Sequence, residues 1–89
     1  MKTFHLQIVT PDGVYFDGES HEVSVPTIHG GVSILAGHIP YVTALGTGKC
    51  IVYCQEKMRE AKCSGGMLTV NRDVVRIVSS GFAWENDPL

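Results

Sequence analysis

Along the first ten residues apolar and polar side chains alternate, with Phe4, Leu6 and Ile8 on one side and His5 and Gln7 on the other. A period of two marks a half-buried strand, so residues 3–10 are predicted as the first strand. Pro11-Asp12-Gly13 follows. Proline presets one turn dihedral and glycine supplies a positive φ, which predicts a reversal. Val14-Tyr15-Phe16 resumes a short strand that Asp17-Gly18 stops, and residues 20–25 alternate again with Val23 and Val25 on one face. Residues 26–31 read as a loop, 32–35 as a short apolar strand, 36–40 as a turn, and 41–45 as a strand punctuated by Gly46-Thr47-Gly48. Residues 49–54 and 59–64 read as the arms of a hairpin around Gln55-Glu56-Lys57-Met58, broken by Gly65-Gly66. Residues 67–70 and 74–78 form a last hairpin around Asn71-Arg72-Asp73, good turn chemistry. No stretch before residue 79 keeps a helical apolar period over three turns. Short strands separated by glycines predict an all-β sandwich or barrel.

Several predicted strands are apolar on two faces. Ile51 and Tyr53 oppose Cys50, Val52 and Cys54; Val42 and Ala44 oppose Tyr41 and Leu45; Val74 and Val78 oppose Val75 and Ile77. An antiparallel sheet with one wet face normally alternates apolar and polar. Two apolar faces mean that the outer one is covered too, either by loops of the same chain or by another protein.

Composition narrows the classes. Apolar residues make up 44% of 89 and charged residues 18%, which suits one small globular domain. A net charge of −2 excludes a strongly basic nucleic-acid reader and a polybasic membrane-surface binder. No apolar run approaches the roughly 20 residues that span a bilayer. The N-terminal residues carry no long apolar stretch and no small-residue cleavage site, so no signal peptide is expected and a cytosolic or matrix-like place is. Three cysteines, Cys50, Cys54 and Cys63, are an odd set crowded together, which is not a disulfide framework.

Catalytic and cofactor chemistry is not marked. Gly30-Gly31 and Gly65-Gly66 lack the Lys-Ser/Thr that completes a nucleotide cradle, so no cofactor is expected. On a strand Cys50 and Cys54 point the same way about 13 Å apart, too far to share one ion, and no metal site is expected. The cysteines read as small buried hydrophobes. A two-residue turn at Glu56-Lys57 places Cys50 opposite Cys63; a shifted register separates them. His5 and His21 fall on solvent faces of strands and His29 and His38 in loops, so all four read as surface histidines. Residues 1–81 form the expected domain and 82–89 a tail. Asp87-Pro88 in that tail is a helix-start signal, Asp as N-cap and Pro at the first helical position. The chain thus stops where a helix begins: it is either trimmed or naturally short.

Four segments resemble the N-terminal β-sandwich domain of the F-type ATP synthase epsilon subunit, called delta in mitochondria. Residues 4–13, Phe-His-Leu-Gln-Ile-Val-Thr-Pro-Asp-Gly, look like the family's opening strand and turn. Phe16-Asp17-Gly18 matches its F-x-G punctuation. Residues 34–45, Ile-Leu-Ala-Gly-His-Ile-Pro-Tyr-Val-Thr-Ala-Leu, are similar to its I-L-P-G-H-A-P-L-V-T-A-L. Ser64-Gly65-Gly66-Met67-Leu68-Thr69-Val70 with residues 74–78 resembles its S-G-G-F-L-E-V and last strand. The match covers about residues 3–80 in order.

The resemblance implies an antiparallel β-sandwich of about ten short strands, here without the family's C-terminal helical hairpin. It implies a non-catalytic rotor subunit of the central stalk that docks the gamma subunit onto the c ring and couples ion translocation to ATP synthesis. It places that subunit at the cytoplasmic face of the cell membrane in a peripheral complex, touching the membrane only through the complex. The family loop close to E-G-E-L-G becomes His29-Gly30-Gly31-Val32-Ser33 here. Loss of both carboxylates makes a more apolar ring contact, so Ile28, His29, Gly31 and Val32 are expected at partners, with His38 from the best-matched motif and Val42 from the outer face. Inhibition of ATP hydrolysis and nucleotide binding belong to the helical hairpin and do not carry over. The alternative is a stand-alone ligand-binding β-domain with the same fold, which predicts an enclosed pocket inside the sandwich; a zinc- or thiol-dependent enzyme is a third reading.

Overall fold

A computed structural model describes residues 2–37, 39–55 and 57–85. Among these residues all regular structure is β. The strands are β1 (Phe4–Thr10), β2 (Gly13–Ser20), β3 (Glu22–Thr27), β4 (Gly30–Leu35), β5 (Tyr41–Cys54), β6 (Lys57–Val70), β7 (Val74–Val78) and β8 (Phe82–Trp84). The chain-end residues 86–89, which hold the Asp87-Pro88 helix signal, lie outside the described residues.

The expected segments are present, but two pairs of them are fused. Residues 41–45 and 49–54 are one continuous β5, and 59–64 and 67–70 are one continuous β6. The glycines between them do not end the strands; they turn them over. On β5 the buried positions pass from Thr43 and Leu45 to Cys50 and Val52, and on β6 from Ala61 and Cys63 to Leu68 and Val70. Odd positions give way to even ones, so each strand rotates by one residue where Leu45-Gly46-Thr47 faces Ser64-Gly65-Gly66. Gly65 and Gly66 have φ of 74° and 123°, which favour glycine.

This twist lets the long hairpin serve two layers. β5 joins β3, which joins β4, and the first part of β6 joins β8. The later part of β6 joins β7, which joins β1 and then β2. One layer therefore reads β4-β3-β5-β6-β8 and the other β5-β6-β7-β1-β2. Counting each long strand twice recovers the ten short strands of the expected sandwich. One pairing departs from the antiparallel expectation: β1 and β7 run parallel, with Leu6 opposite Val75 and Ile8 opposite Ile77.

The core between the layers is apolar and continuous. Leu6, Ile8, Val23, Val52, Leu68, Val75 and Ile77 are fully buried. Burying each such side chain stabilises the fold by about 1.5–3 kcal/mol. Phe4 and Val25, also expected in the core, are there. One side of the sandwich is closed by aromatic rings. Tyr15 meets Phe82 edge-on at 5.5 Å, Phe82 meets Trp84 at 5.1 Å, and Phe16 meets Trp84 at 6.4 Å. The Arg59 guanidinium lies 3.9 Å from the Trp84 ring centroid. Phe82, at the start of the segment read as a tail, is buried and pairs with Cys63.

Turns set the registers. Thr10 pairs with Gly13, and the Thr10 hydroxyl accepts the Asp12 N–H at 3.0 Å. β3 runs through Pro26 to Thr27, beyond the expected strand end. The β3–β5 ladder shifts between Ser24 and Thr27, which spares the proline a donor it lacks. Cys54 pairs with Lys57, so the β5–β6 turn falls one residue earlier than Glu56-Lys57, with Gln55 at φ 55°. Cys50 then lies opposite Ala61 and Cys63 opposite Gly48.

Candidate docking face

The register separates the two buried thiols. Cys50 and Cys63 occupy diagonal positions on adjacent strands, about 7–8 Å apart at Cα. A disulfide needs roughly 4.4–6.8 Å, and all three cysteines are free. Burial pushes the Cys50 thiol up to about 12, with Cys63 nearby adding to the rise. Burial also raises Cys54 and Cys63, the latter partly offset by a hydrogen bond with Ser79. A raised thiol keeps its proton and is a poor nucleophile. Among the described residues no group of three or more His, Cys, Asp or Glu side chains can hold a metal. Two clefts of about 580 and 600 Å³ open at the surface, one beside Phe4 and Asp73, the other beside Lys49, Lys62 and Phe82. Neither replaces the packed core with an enclosed pocket.

The strands offer surface instead. In the layer β5-β6-β7-β1-β2, buried and outward residues alternate, so directly paired outward residues form rows across the sheet. Ala44 pairs with Met67, Met67 with Val78, Val78 with Val9, and Val9 with Val14. That is an unbroken apolar row across the layer. Val14, Met67 and Val78 are 61%, 46% and 45% exposed. The next row, Val42-Thr69-Arg76-Gln7-Asp17, is mostly polar. Arg76 Nε donates to Gln7 Oε1 at 2.9 Å, and Gln7 Nε2 donates to Asp17 Oδ2 at 3.5 Å. His5 Nε2 lies 2.6 Å from Asp17 Oδ1, and its Nδ1 lies 3.6 Å from Glu19.

The other predicted contact residues fall in separate places. Ile28 and His29 form the two-residue β3–β4 turn, because Thr27 pairs with Gly30. The Thr27 hydroxyl accepts the His29 N–H at 3.1 Å, and the Ile28 N–H donates to Ala44 O at 3.2 Å. That bond brings the turn beside the strand that carries Val42. Ile28 and Val42 are 63% and 61% exposed, and His29 and Gly31 are exposed. Val32 is half-buried: it packs on the core beside its partner Val25 and keeps part of its surface open. His38 lies outside the described residues. His5 and His21 lie on the outward side with part of their surface covered: the His5 side chain is 42% exposed, and His21 Nε2 lies 3.0 Å from Gln55 O.

The sequence set Val42 on an outer face, with Ala44 on the same side, and opposed Val78 to Ile77 without choosing the outward one; it did not mark Val9, Val14 or Met67. Their alignment depends on the parallel β1–β7 pairing, which no local pattern reveals.

The fold and its surface define a class: a β-sandwich with a filled core and an apolar row on its outer face. The match to known proteins agrees. Residues 3–85 match the ATP synthase delta/epsilon chain β-sandwich domain, and the chain belongs to that family. An ATP synthase epsilon chain of Caldicellulosiruptor saccharolyticus is 36% identical over 98% of this chain and 64% of its own length. One from Caldanaerobacter subterraneus subsp. tengcongensis is 37% identical over 97% of this chain and 63% of its own length. The chain thus spans a little under two thirds of these relatives. They carry the name of a non-catalytic chain of the synthase. Among solved structures, a chain in the OSCP/F1/c-ring structure of the Euglena gracilis mitochondrial ATP synthase superposes with a TM-score of 0.87. It is 25% identical, covering 92% of this chain and 53% of that one.

Proposed function

We propose that this domain is a non-catalytic subunit of the rotating central stalk of an F-type ATP synthase. It docks the gamma subunit through the outer face of β5-β6-β7-β1-β2 and meets the c ring through the β3–β4 turn. In that position it couples ion translocation to ATP synthesis at the cytoplasmic face of the membrane, without touching the bilayer itself. One observation carries the reading: the apolar row from Ala44 to Val14, which no described element of the chain covers. Apolar surface gains most from a partner that removes it from water.

At the turn, His29 and Gly31 stand where the family loop carries carboxylates, and the exposed Ile28 beside them adds apolar surface. The filled core speaks against the alternative of a stand-alone ligand-binding domain, because nothing in the described sandwich encloses a ligand-sized space. Mixing the purified domain with purified gamma, then adding detergent-solubilised c ring, tests the assignment. A stable complex with gamma that also retains the ring is expected. A domain that elutes alone from gamma at micromolar concentrations overturns it.

A further inference from the structure

The apolar row has a shape that selects its occupant. It runs perpendicular to the strands, one side chain wide, across four inter-strand spacings. At about 4.8 Å each these make roughly 19 Å. An α-helix advances 5.4 Å per turn, so about 13 residues of helix lie along that length at nearly one turn per strand. A helix's apolar stripe is likewise narrow, repeating every three to four residues. A second sheet layer would instead have to bury the neighbouring row with Arg76, Gln7 and Asp17. On the other side the residues next along β5, β6 and β7 are small: Gly46 on β5, Gly65 before Met67, and Ser80 after Val78. They leave room for the body of a helix.

A β-bulge tunes the row. The β1–β2 register shifts between Ile8 and Val9, so that Val9 faces Val14 rather than Tyr15. A bulge re-aims side chains. Here it sets the smaller valine in the row, while Tyr15 stacks edge-on against Phe82. The charges at the β2 end are one-sided. Asp17 and Glu19 have side chains 47% and 62% exposed, and among the described residues their only ion-pair partner is His5. Arg76 is engaged by Gln7.

We propose that the row seats one amphipathic helix of the partner, laid across the strands, with a basic flank over Asp17 and Glu19. The identity of that partner as gamma rests on the function proposed above; the helix and its direction rest on the row itself. The test places the photo-crosslinking amino acid p-benzoylphenylalanine, one site at a time, at Met67, Val78 and Val14. A fourth site is Met58, exposed on the opposite layer. Each variant is irradiated with purified gamma and the products are mapped by mass spectrometry. The expected result is that the three row sites mark one gamma segment, in order, at spacings of three to four residues, and Met58 marks none. Asp17→Lys with Glu19→Lys should weaken binding about tenfold at low salt, with the difference shrinking as salt is added. Cross-links at alternate residues, on scattered segments, or between two copies of this chain overturn the helix while leaving gamma as partner or replacing it. A complex that forms but cross-links only from Met58 overturns the face, and no complex at all overturns both proposals.

Discussion

Gly66 holds β6 at its crossing between layers, and only glycine fits there. Its φ is 123°, and an added Cβ would sit 2.1 Å from Val78 O. Gly66→Ala should therefore cost about 3 kcal/mol or more, combining backbone strain with a clash against backbone that cannot move away. Gly31 is the control: the nearest atom to its added Cβ is Val25 O at 3.9 Å. Gly31→Ala should stay within about 0.5 kcal/mol of the parent. Urea midpoints for the two variants check the contrast, and a mild Gly66→Ala would show that the crossing can relax. Cys50 gives a second test at this scale. Its thiol titrates at 9.0 when unperturbed and is pushed up to about 12 by burial. Below pH 9 both folded and unfolded chains keep the proton, so this thiol imposes no pH dependence. Between pH 9 and about 12 the unfolded chain ionises first, and stability falls by roughly 1 kcal/mol per pH unit for such a thiol. Cys50→Ala loses stability at neutral pH through its cavity, but its stability should decline less steeply above pH 9. Denaturant midpoints at pH 8 and about 10.5 measure the difference in slope; equal slopes would mean that Cys50 ionises without unfolding.

β8 shows how a three-residue strand closes a sandwich. Phe82 is 7% exposed and stacks against both Tyr15 and Trp84. Phe82→Ala should cost about 3–5 kcal/mol, as for other buried aromatic truncations. A midpoint close to the parent's would show that β8 merely rests on β6. The sequence hid this element because three apolar residues have no readable period. It was otherwise generous with strands: Phe4, Leu6 and Ile8, and Val23 and Val25, alternate because one face is buried. It misled at the glycines. Gly46-Thr47-Gly48 and Gly65-Gly66 look like breaks, yet the two strands continue through them because each is paired with the other at that level. The β5–β6 register escaped as well, since a single non-glycine residue at positive φ, Gln55, decides where the turn falls.

At the scale of the molecule, the outer apolar face was legible in outline and its pattern was not. Two-faced apolar strands declared it, with Val42 and Ala44 on one such face and Val78 on another, but joining them into rows needs β1 beside β7, residues far apart in the chain. Val32 shows the same dependence: alternation on β4 sets it on the side of Ile34, and only pairing with Val25 and Val23 reveals that this side leans on the core and leaves Val32 half-buried. Both layers expose apolar side chains, so the choice of docking face is an experimental matter with a clear discriminator. Val42 is 61% exposed on the layer that carries the row, and Met58 is 52% exposed on the other. Val42→Asp and Met58→Asp add the same charge at similar exposure. Both variants should fold, with urea midpoints within about 1 kcal/mol of the parent. At a docked face a carboxylate must lose its water without gaining a partner, which costs several kcal/mol and weakens binding at least about a hundredfold. Val42→Asp should therefore lose gamma while Met58→Asp keeps it, as read by the dissociation constant of each purified variant. An unfolded Val42→Asp would put that residue in the core. The reverse pattern of binding would move the docking face to the layer of β3 and β4.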